Sequence, residues 1–120
     1  MANEISWRVQ LAVKPGQLDN FRELTAEMVE TARKETGVLS YERFVTDDGR
    51  FIHIYERYAD SAAALAHLRK FRKAFGERFN GMVERVQFTV YGSANDELKN
   101  VLDGFGATYL KRFGDFKYWV

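Results

Sequence analysis

The stretch FIHIYERYADSAAALAHLRKFRKAFGERF, residues 51–79, decides the fold of this chain. Its first eight residues alternate with a period of two, which is typical of a β-strand. One face of this predicted strand carries Ile52, Ile54, Glu56 and Tyr58, and the other carries Phe51, His53, Tyr55 and Arg57. Asp60-Ser61 then offers side-chain oxygens to the start of a helix. Apolar residues follow at helical spacing, and they are Ala64, Leu68, Phe71, Phe75 and Phe79.

The flanking segments complete a split β-α-β pattern. Ile5 to Val13 alternates as a strand, and an amphipathic helix follows, ended by Gly37. Val38 to Val45 predicts a second strand, joined to the Phe51 strand by the turn 47–50. Arg85 to Tyr91 predicts a fourth strand, with one face formed by Val86, Phe88 and Val90. The order β-α-β-β-α-β predicts a ferredoxin-like α+β fold, an antiparallel sheet with both helices on one face.

Residues 92–120 add a helix and a strand to this core, which spans residues 5–91. Ser93 is placed to cap a short helix with a common apolar face formed by Leu98, Val101, Leu102 and Phe105. The tail is rich in aromatic residues, namely Tyr109, Phe113, Phe116, Tyr118 and Trp119. Because terminal tails are usually polar and frayed, we expect this one to dock on its own sheet or on that of a partner.

Length and composition favour a single folded domain over residues 1–120. The 120 residues are 46% hydrophobic and carry no cysteine, with a formal net charge of +1. This balance gives no general attraction to nucleic acid, and no apolar run approaches the roughly 18 residues of a membrane span. We therefore expect a cytoplasmic protein that binds neither nucleic acid nor membrane.

The sheet itself predicts a homodimer. Two helices cover one face, while the other face carries apolar residues such as Phe51 and Tyr55. Large apolar surfaces are rare on soluble monomers. Packing of sheet against sheet in a two-fold dimer would cover this face.

A set of residues within this pattern resembles the antibiotic biosynthesis monooxygenase (ABM) family of dimeric α/β-barrel proteins. The resemblance rests on Gly37, Tyr41-Glu42, Ile52-x-Ile54-x-Glu56-x-Tyr58, Asp60, Ala63 and Ala66-His67-Leu68. It implies the same fold, with a tail similar to the swapped terminal strand of several members. Members include cofactor-independent quinol or anthrone oxygenases, haem-degrading enzymes and proteins without known activity.

Two departures from the family bear on the reaction. Quinol-oxygenase-like members often have a second histidine five residues after the first, where this chain has Arg72. Haem-degrading members use an asparagine, a tryptophan and an axial histidine, and the corresponding positions here are Val9, Ala64 and Ala74. The resemblance therefore implies chemistry with no cofactor and disfavours haem.

Oxygenation without a cofactor needs a base that removes a proton from an electron-rich phenol or quinol inside a dry pocket. His67 is the preferred base and His53 the second candidate, since histidine titrates near neutral pH. The residues predicted to contact a small aromatic ligand are Trp7, Tyr41, Tyr55, Glu56, Phe71 and Phe75. No metal site is expected.

Each of these residues also has a structural alternative. His67 could donate to a strand or loop carbonyl, and Glu56 could pair with Arg43 or Arg85. The aromatic residues could be plain core. The functional hypotheses are therefore two: a monooxygenase of a small aromatic or quinol-like molecule, or a non-catalytic homodimer that binds a small ligand or a partner. The sequence leaves open whether the chain is an enzyme.

Overall fold

The computed structural model describes residues 3–117, which form one sheet and three helices. In chain order the elements are β1 (Ile5–Val13), α1 (Leu18–Arg33), β2 (Val38–Val45), β3 (Phe51–Tyr58), α2 (Ser61–Met82), β4 (Val83–Tyr91), α3 (Asp96–Asp103) and β5 (Thr108–Leu110). The strand order is β2-β3-β1-β4-β5. The first four strands are antiparallel, and β5 runs parallel to β4. The ferredoxin-like fold with an added helix and strand is confirmed, and the sheet of the protomer is open.

The core lies between one face of the sheet and the helices. On β3 the alternation is as predicted, because Ile52, Ile54, Glu56 and Tyr58 are buried and His53 is exposed on the other face. The central strand β1 supplies further buried side chains, which are Ile5, Trp7, Val9 and Leu11. Burying an aliphatic side chain contributes about 1.5–3 kcal/mol, so this double row anchors the helices to the sheet.

Helix α2 begins and ends for identifiable reasons. The carboxylate of Asp60 accepts a hydrogen bond from the backbone N–H of Ala63 at 2.8 Å, as the sequence predicted. Of the predicted apolar row, two residues are fully buried and Leu68, Phe71 and Phe75 are only partly buried. The buried face is turned toward Leu65 and His67. The helix continues through the Asn80-Gly81 pair to Met82, and β4 begins at the next residue.

Strand β4 contains a β-bulge that the sequence did not predict. Gln10 of β1 pairs with Gln87 and Leu11 pairs with Arg85, so Val86 is an extra residue. A bulge reverses the inward and outward alternation beyond it. The prediction that Val86 shares a face with Phe88 and Val90 was wrong, because the side chain of Val86 is 55% exposed while Phe88 and Val90 are buried.

The C-terminal extension differs from the prediction in its cap. Asn95, not Ser93, caps α3, and its side chain accepts from the N–H of Leu98 at 2.9 Å. The backbone N–H of Asn95 donates to Ser61 Oγ at 3.0 Å, which ties α3 to the start of α2. Leu98 and Leu102 are buried, whereas Val101 is largely outside the core.

The far face of the sheet and most of the tail are not covered within the protomer. Phe44 of β2 is 57% exposed, and Phe113 and Phe116 are exposed beyond β5. Tyr109 packs against the core, whereas Phe113 is fully exposed. The predicted docking of Tyr118 and Trp119 lies outside the described residues.

Candidate active site

A partly open cavity, the inner cavity, lies between the sheet and helix α2. Its volume is about 40 Å³, and its lining includes the polar groups Arg43, Glu56, His67 and Arg85. Most of the remaining wall is aromatic, formed by Trp7, Tyr41, Phe71, Phe79, Phe88 and Phe105. The rings of Trp7 and Phe88 lie 5.5 Å apart, and those of Phe71 and Phe79 lie 5.0 Å apart in an edge-to-face contact. Such a wall suits a flat, apolar ligand.

Glu56 is a buried carboxylate that accepts three hydrogen bonds. Trp7 Nε1 and the Tyr58 hydroxyl donate to Oε1, and Arg43 Nη2 donates to Oε2 at 2.6 Å. Burial raises the pKa of Glu56, but the charge of Arg43, a contribution from His67 and the hydrogen bonds from Tyr58 and Arg43 lower that pKa by more. The predicted alternative of an ion pair is thus realised with Arg43. Glu56 lies in the cavity wall, but its oxygens are occupied.

Arg43 is held between Glu56 and an aromatic ring. Its guanidinium lies 3.5 Å from the ring centroid of Tyr41, and its side chain is 8% exposed. Two of its nitrogens, Nε and Nη1, are buried without a hydrogen-bond partner among residues 3–117. Burial also raises the pKa of Tyr41 well above its ordinary value, although the charge of Arg43 opposes this. The Tyr41 side chain is therefore uncharged at pH 7, and it forms part of the cavity wall.

His67 reaches the cavity from α2 and is fixed by a carboxylate. Its Nδ1 lies 3.1 Å from Glu35 Oε1, and both side chains are almost fully buried. An ionised carboxylate can only accept, so Nδ1–H is the donor. Nε2 makes no hydrogen bond with any residue between 3 and 117, and in this tautomer it carries a free lone pair. The rings of Tyr41 and Tyr58 each lie 5.3 Å from that of His67 and hold it in place.

The carboxylate of Glu35 was not found by the sequence analysis. Glu35 follows the end of α1, in the turn before Gly37, and lies 32 residues from His67 along the chain. Gly37 has a φ of +95°, and a side chain there would meet Ala63 of α2 at 2.7 Å. This close approach brings the turn against α2, which places Glu35 beside His67. The sequence contains this glycine, but no periodic pattern in it indicates that Glu35 would lie beside His67.

A second, larger cavity adjoins the first from the side of α3. Its volume is about 450 Å³, and it is lined mostly by α2 and by α3 with the residues that follow it. We call it the outer groove. Four residues line both spaces, and these are Leu68, Phe71, Arg85 and Phe105. Their side chains therefore form the boundary between the inner cavity and the outer groove.

The structure separates the predicted site residues into two groups. Trp7, Tyr41, Glu56, Phe71 and His67 line the inner cavity. Phe75 is not part of that lining and packs beside the ring of Phe71 at 6.4 Å.

The second group lies on the far face of the sheet. His53 and Tyr55 line a shallow depression there, together with Arg8, Glu42 and Phe44. The two histidines consequently do not belong to one site. This arrangement follows directly from the alternation of β3.

Residues 3–117 also bear on metal binding and on membrane insertion. No three histidine, cysteine, aspartate or glutamate side chains in this range are arranged to hold a metal ion. Within the same range, no helix has the length and apolarity needed to cross a membrane.

Comparison with known proteins gives a family and a fold. The family model described as antibiotic biosynthesis monooxygenase matches residues 5–75. The chain is similar to the crystal structure of MupZ from Pseudomonas fluorescens, with 22% identity, a TM-score of 0.86 and coverage of 97% of this chain and 95% of that chain. No curated protein sequence matches it.

Two other solved structures match over the core. SnoaB from Streptomyces nogalater, a cofactor-independent oxygenase, has 12% identity and a TM-score of 0.67, with 78% of this chain and 96% of that chain covered. PA3566 from Pseudomonas aeruginosa has 18% identity and a TM-score of 0.67, with 79% and 98% covered. At these identities the structures show a common fold.

Proposed function

Since this chain belongs to the antibiotic biosynthesis monooxygenase family, we propose that it is a cofactor-independent monooxygenase of a small aromatic or quinol-like substrate, with His67 as the base. The observation that carries the proposal is the buried Glu35–His67 pair, whose free Nε2 belongs to an aromatic cavity. The solved oxygenase of the same fold supports the choice of reaction.

The proposed reaction needs no redox group from the protein. His67 Nε2 removes a proton from a phenolic or enolic hydroxyl, and the resulting anion reduces dioxygen by one electron. The two radicals combine into a C–O–O bond at a carbon that carries hydrogen, which is the CH₂ of an anthrone or a ring CH of a quinol, and loss of water leaves a carbonyl there. In sum, an anthrone CH₂ and O₂ give C=O and H₂O, and a quinol and O₂ give a hydroxyquinone and H₂O, so the substrate supplies all the electrons.

His67 is the only group in the lining of the inner cavity that is suited to this proton transfer. A general base works best when its pKa is near the working pH. The pKa of Tyr58, which hydrogen-bonds to Glu56 beside the cavity, is raised by burial and by that carboxylate, and the pKa of Tyr41 is raised chiefly by burial. Glu56 is ionised, but its oxygens already accept three hydrogen bonds. Glu35 fixes the His67 tautomer and stabilises the imidazolium once the proton has moved, which is the role of a positioning residue.

The test is oxygen uptake with a panel of anthrone, 1,4-naphthalenediol, hydroquinone and 2,5-dihydroxybenzoate, measured above the uncatalysed rate. We expect His67→Gln to lower the enzymatic rate at least about a hundredfold, since general base catalysis contributes about 10²–10⁴-fold. His53→Gln tests the second candidate base and should retain the full rate, because His53 lies on the other face of the sheet. Uptake that survives in His67→Gln would remove His67 as the base.

The second candidate function, a non-catalytic homodimer that binds a small ligand or a partner, is favoured over catalysis by the size of the inner cavity, because oxygenation needs a substrate enclosed in a dry pocket whereas binding does not. Its 40 Å³ is far below the roughly 300–1,000 Å³ of a ligand site. A bound aromatic would have to extend into the outer groove. No uptake from any member of the panel, combined with measurable binding of the same compounds under nitrogen, would support this second function.

The proposal includes a homodimer formed through the uncovered face of the sheet. The exposed apolar side chains Phe44 and Val86 lie on that face, at 57% and 55% exposure. Covering such a surface with a second copy is the arrangement that the fold allows. The α/β barrel, the partner for the tail and a cytoplasmic location stay predictions.

A further inference from the structure

Arg85 is a cation placed in the wall of the inner cavity without a negatively charged partner. It lines both the inner cavity and the outer groove. Its guanidinium lies 4.2 Å from the ring centroid of Phe105 and 5.6 Å from that of Phe79. It forms no hydrogen bond and no ion pair with any residue from 3 to 117. The two aromatic rings contact the cation but offer it no acceptor oxygen.

The acidic groups at the cavity contact other residues, and neither of them contacts Arg85. Arg43 is paired with Glu56 at 2.6 Å, and His67 is paired with Glu35 at 3.1 Å. Glu56 also accepts from Trp7 and the Tyr58 hydroxyl, and it forms no hydrogen bond or ion pair with Arg85. Burial lowers the pKa of Arg85, and no carboxylate opposes that shift.

This cation occupies its place because of the bulge in β4. The extra residue Val86 points to the far face, and Arg85 opposite Leu11 turns toward the helices. Bulges frequently re-aim a side chain next to an active site. The energetic cost of partly burying an unpaired guanidinium would be removed by a bound anion.

We propose that Arg85 is a binding residue for a carboxylate on the substrate, so that the site accepts an acidic phenol or quinol rather than a neutral one. This names the substrate class of the proposed oxygenase and rests on that function only for the hydroxyl that faces His67. A guanidinium binds a carboxylate with two parallel hydrogen bonds, which fixes orientation as well as affinity. With its carboxylate at Arg85, on the boundary, the ligand has one end in the inner cavity and the remainder in the outer groove.

The experiment compares two ligands of nearly equal shape, 2,5-dihydroxybenzoate and its methyl ester, by isothermal titration calorimetry under nitrogen at pH 7. The wild-type protein should bind the acid at least about tenfold more tightly than the ester. Arg85→Gln should bind both equally. Arg85→Lys keeps the charge but loses the planar fork, so it should retain part of the preference.

Arg50→Gln is the matched control. Arg50 is exposed in the turn between β2 and β3 and lines neither the inner cavity nor the outer groove, so its replacement removes the same charge outside the proposed site. The preference for the acid should persist in this variant. Melting temperatures of all variants establish that each one is folded.

Three results would overturn the proposal: equal binding of acid and ester by the wild type, a preference for the acid that survives in Arg85→Gln, or binding of neither compound. The oxygenase proposal can fail independently of the carboxylate proposal. If the acid binds through Arg85 but no compound of the oxygen-uptake panel is consumed, the carboxylate site stands and the monooxygenase activity falls. If uptake depends on His67 while acid and ester bind alike, the reverse holds.

Discussion

Replacing Glu56 with glutamine should destabilise the protein strongly, although the two side chains have almost the same shape. Glu56 accepts from Trp7 and Tyr58 on one oxygen and from Arg43 on the other. Glutamine has a single acceptor oxygen, so its NH₂ group must face at least one donor. Since Arg43 already has two buried nitrogens without a partner, the variant would leave a buried guanidinium with no anion.

The expected magnitude follows from the burial of the pair. Removing one partner of a buried ion pair costs roughly 3–5 kcal/mol. A domain of 120 residues has a total free energy of unfolding of about 5–15 kcal/mol. The melting temperature should therefore fall by about 10–20 °C.

Chemical denaturation at pH 7 measures this difference, and its pH dependence identifies the carboxylate. The pKa of Glu56 in the folded protein lies below its ordinary value of 4.5. The ionised carboxylate thus stabilises the wild type above that pH, and this stability is lost as the pH falls through the folded pKa. Glutamine does not titrate, so the difference between the two proteins should begin to narrow below about pH 4.5.

Glu42→Gln is the matched control for the same chemical change. Glu42 is exposed on the far face, where it accepts from Ser40, and its replacement should alter the unfolding free energy by less than about 0.5 kcal/mol. A Glu56→Gln variant within about 1 kcal/mol of wild type at pH 7, or a difference that does not narrow in acid, would refute the buried pair.

Three further predictions concern packing, backbone and assembly. Phe79→Ala should cost about 3–5 kcal/mol because Phe79 is 4% exposed, while Phe75→Ala should cost clearly less since Phe75 is only partly buried; urea denaturation compares them, and equal losses would contradict the observed packing. Gly37→Ala should destabilise the protein more than Gly16→Ala in the same assay, because both glycines have positive φ but only at Gly37 would the new methyl collide with α2. Phe44→Glu should convert the dimer to monomer in sedimentation velocity at micromolar concentration, and a wild type that is already monomeric there would refute the assembly.

The parts of the structure that follow from local chemistry were predictable from the sequence. The alternation of residues 51–58 and the cap at Asp60 depend on near neighbours, and both are confirmed. The faces of β3 also fixed in advance that His53 and Glu56 point in opposite directions.

The parts that depend on pairing between distant segments were not predictable. The bulge at Val86 breaks the two-residue alternation from which the faces of β4 were predicted, so Val86 was placed on the wrong face. The contact between Glu35 and His67 joins a turn to a helix through tertiary packing alone. The sequence also could not show whether Arg43 or Arg85 pairs with Glu56, because the answer depends on how β2 and β4 are aligned with their neighbouring strands.

The single extra residue in β4 makes the polarity of the cavity depend on strand alignment. If β4 ran without the bulge, its alternation back from Phe88 would bring Val86 inward and send Arg85 outward. The inner cavity would then keep the polar groups of Arg43, Glu56 and His67, and the guanidinium of Arg85 would lie in water. The alignment of one residue in β4 therefore decides whether the cavity contains the cation that we propose to bind a carboxylate.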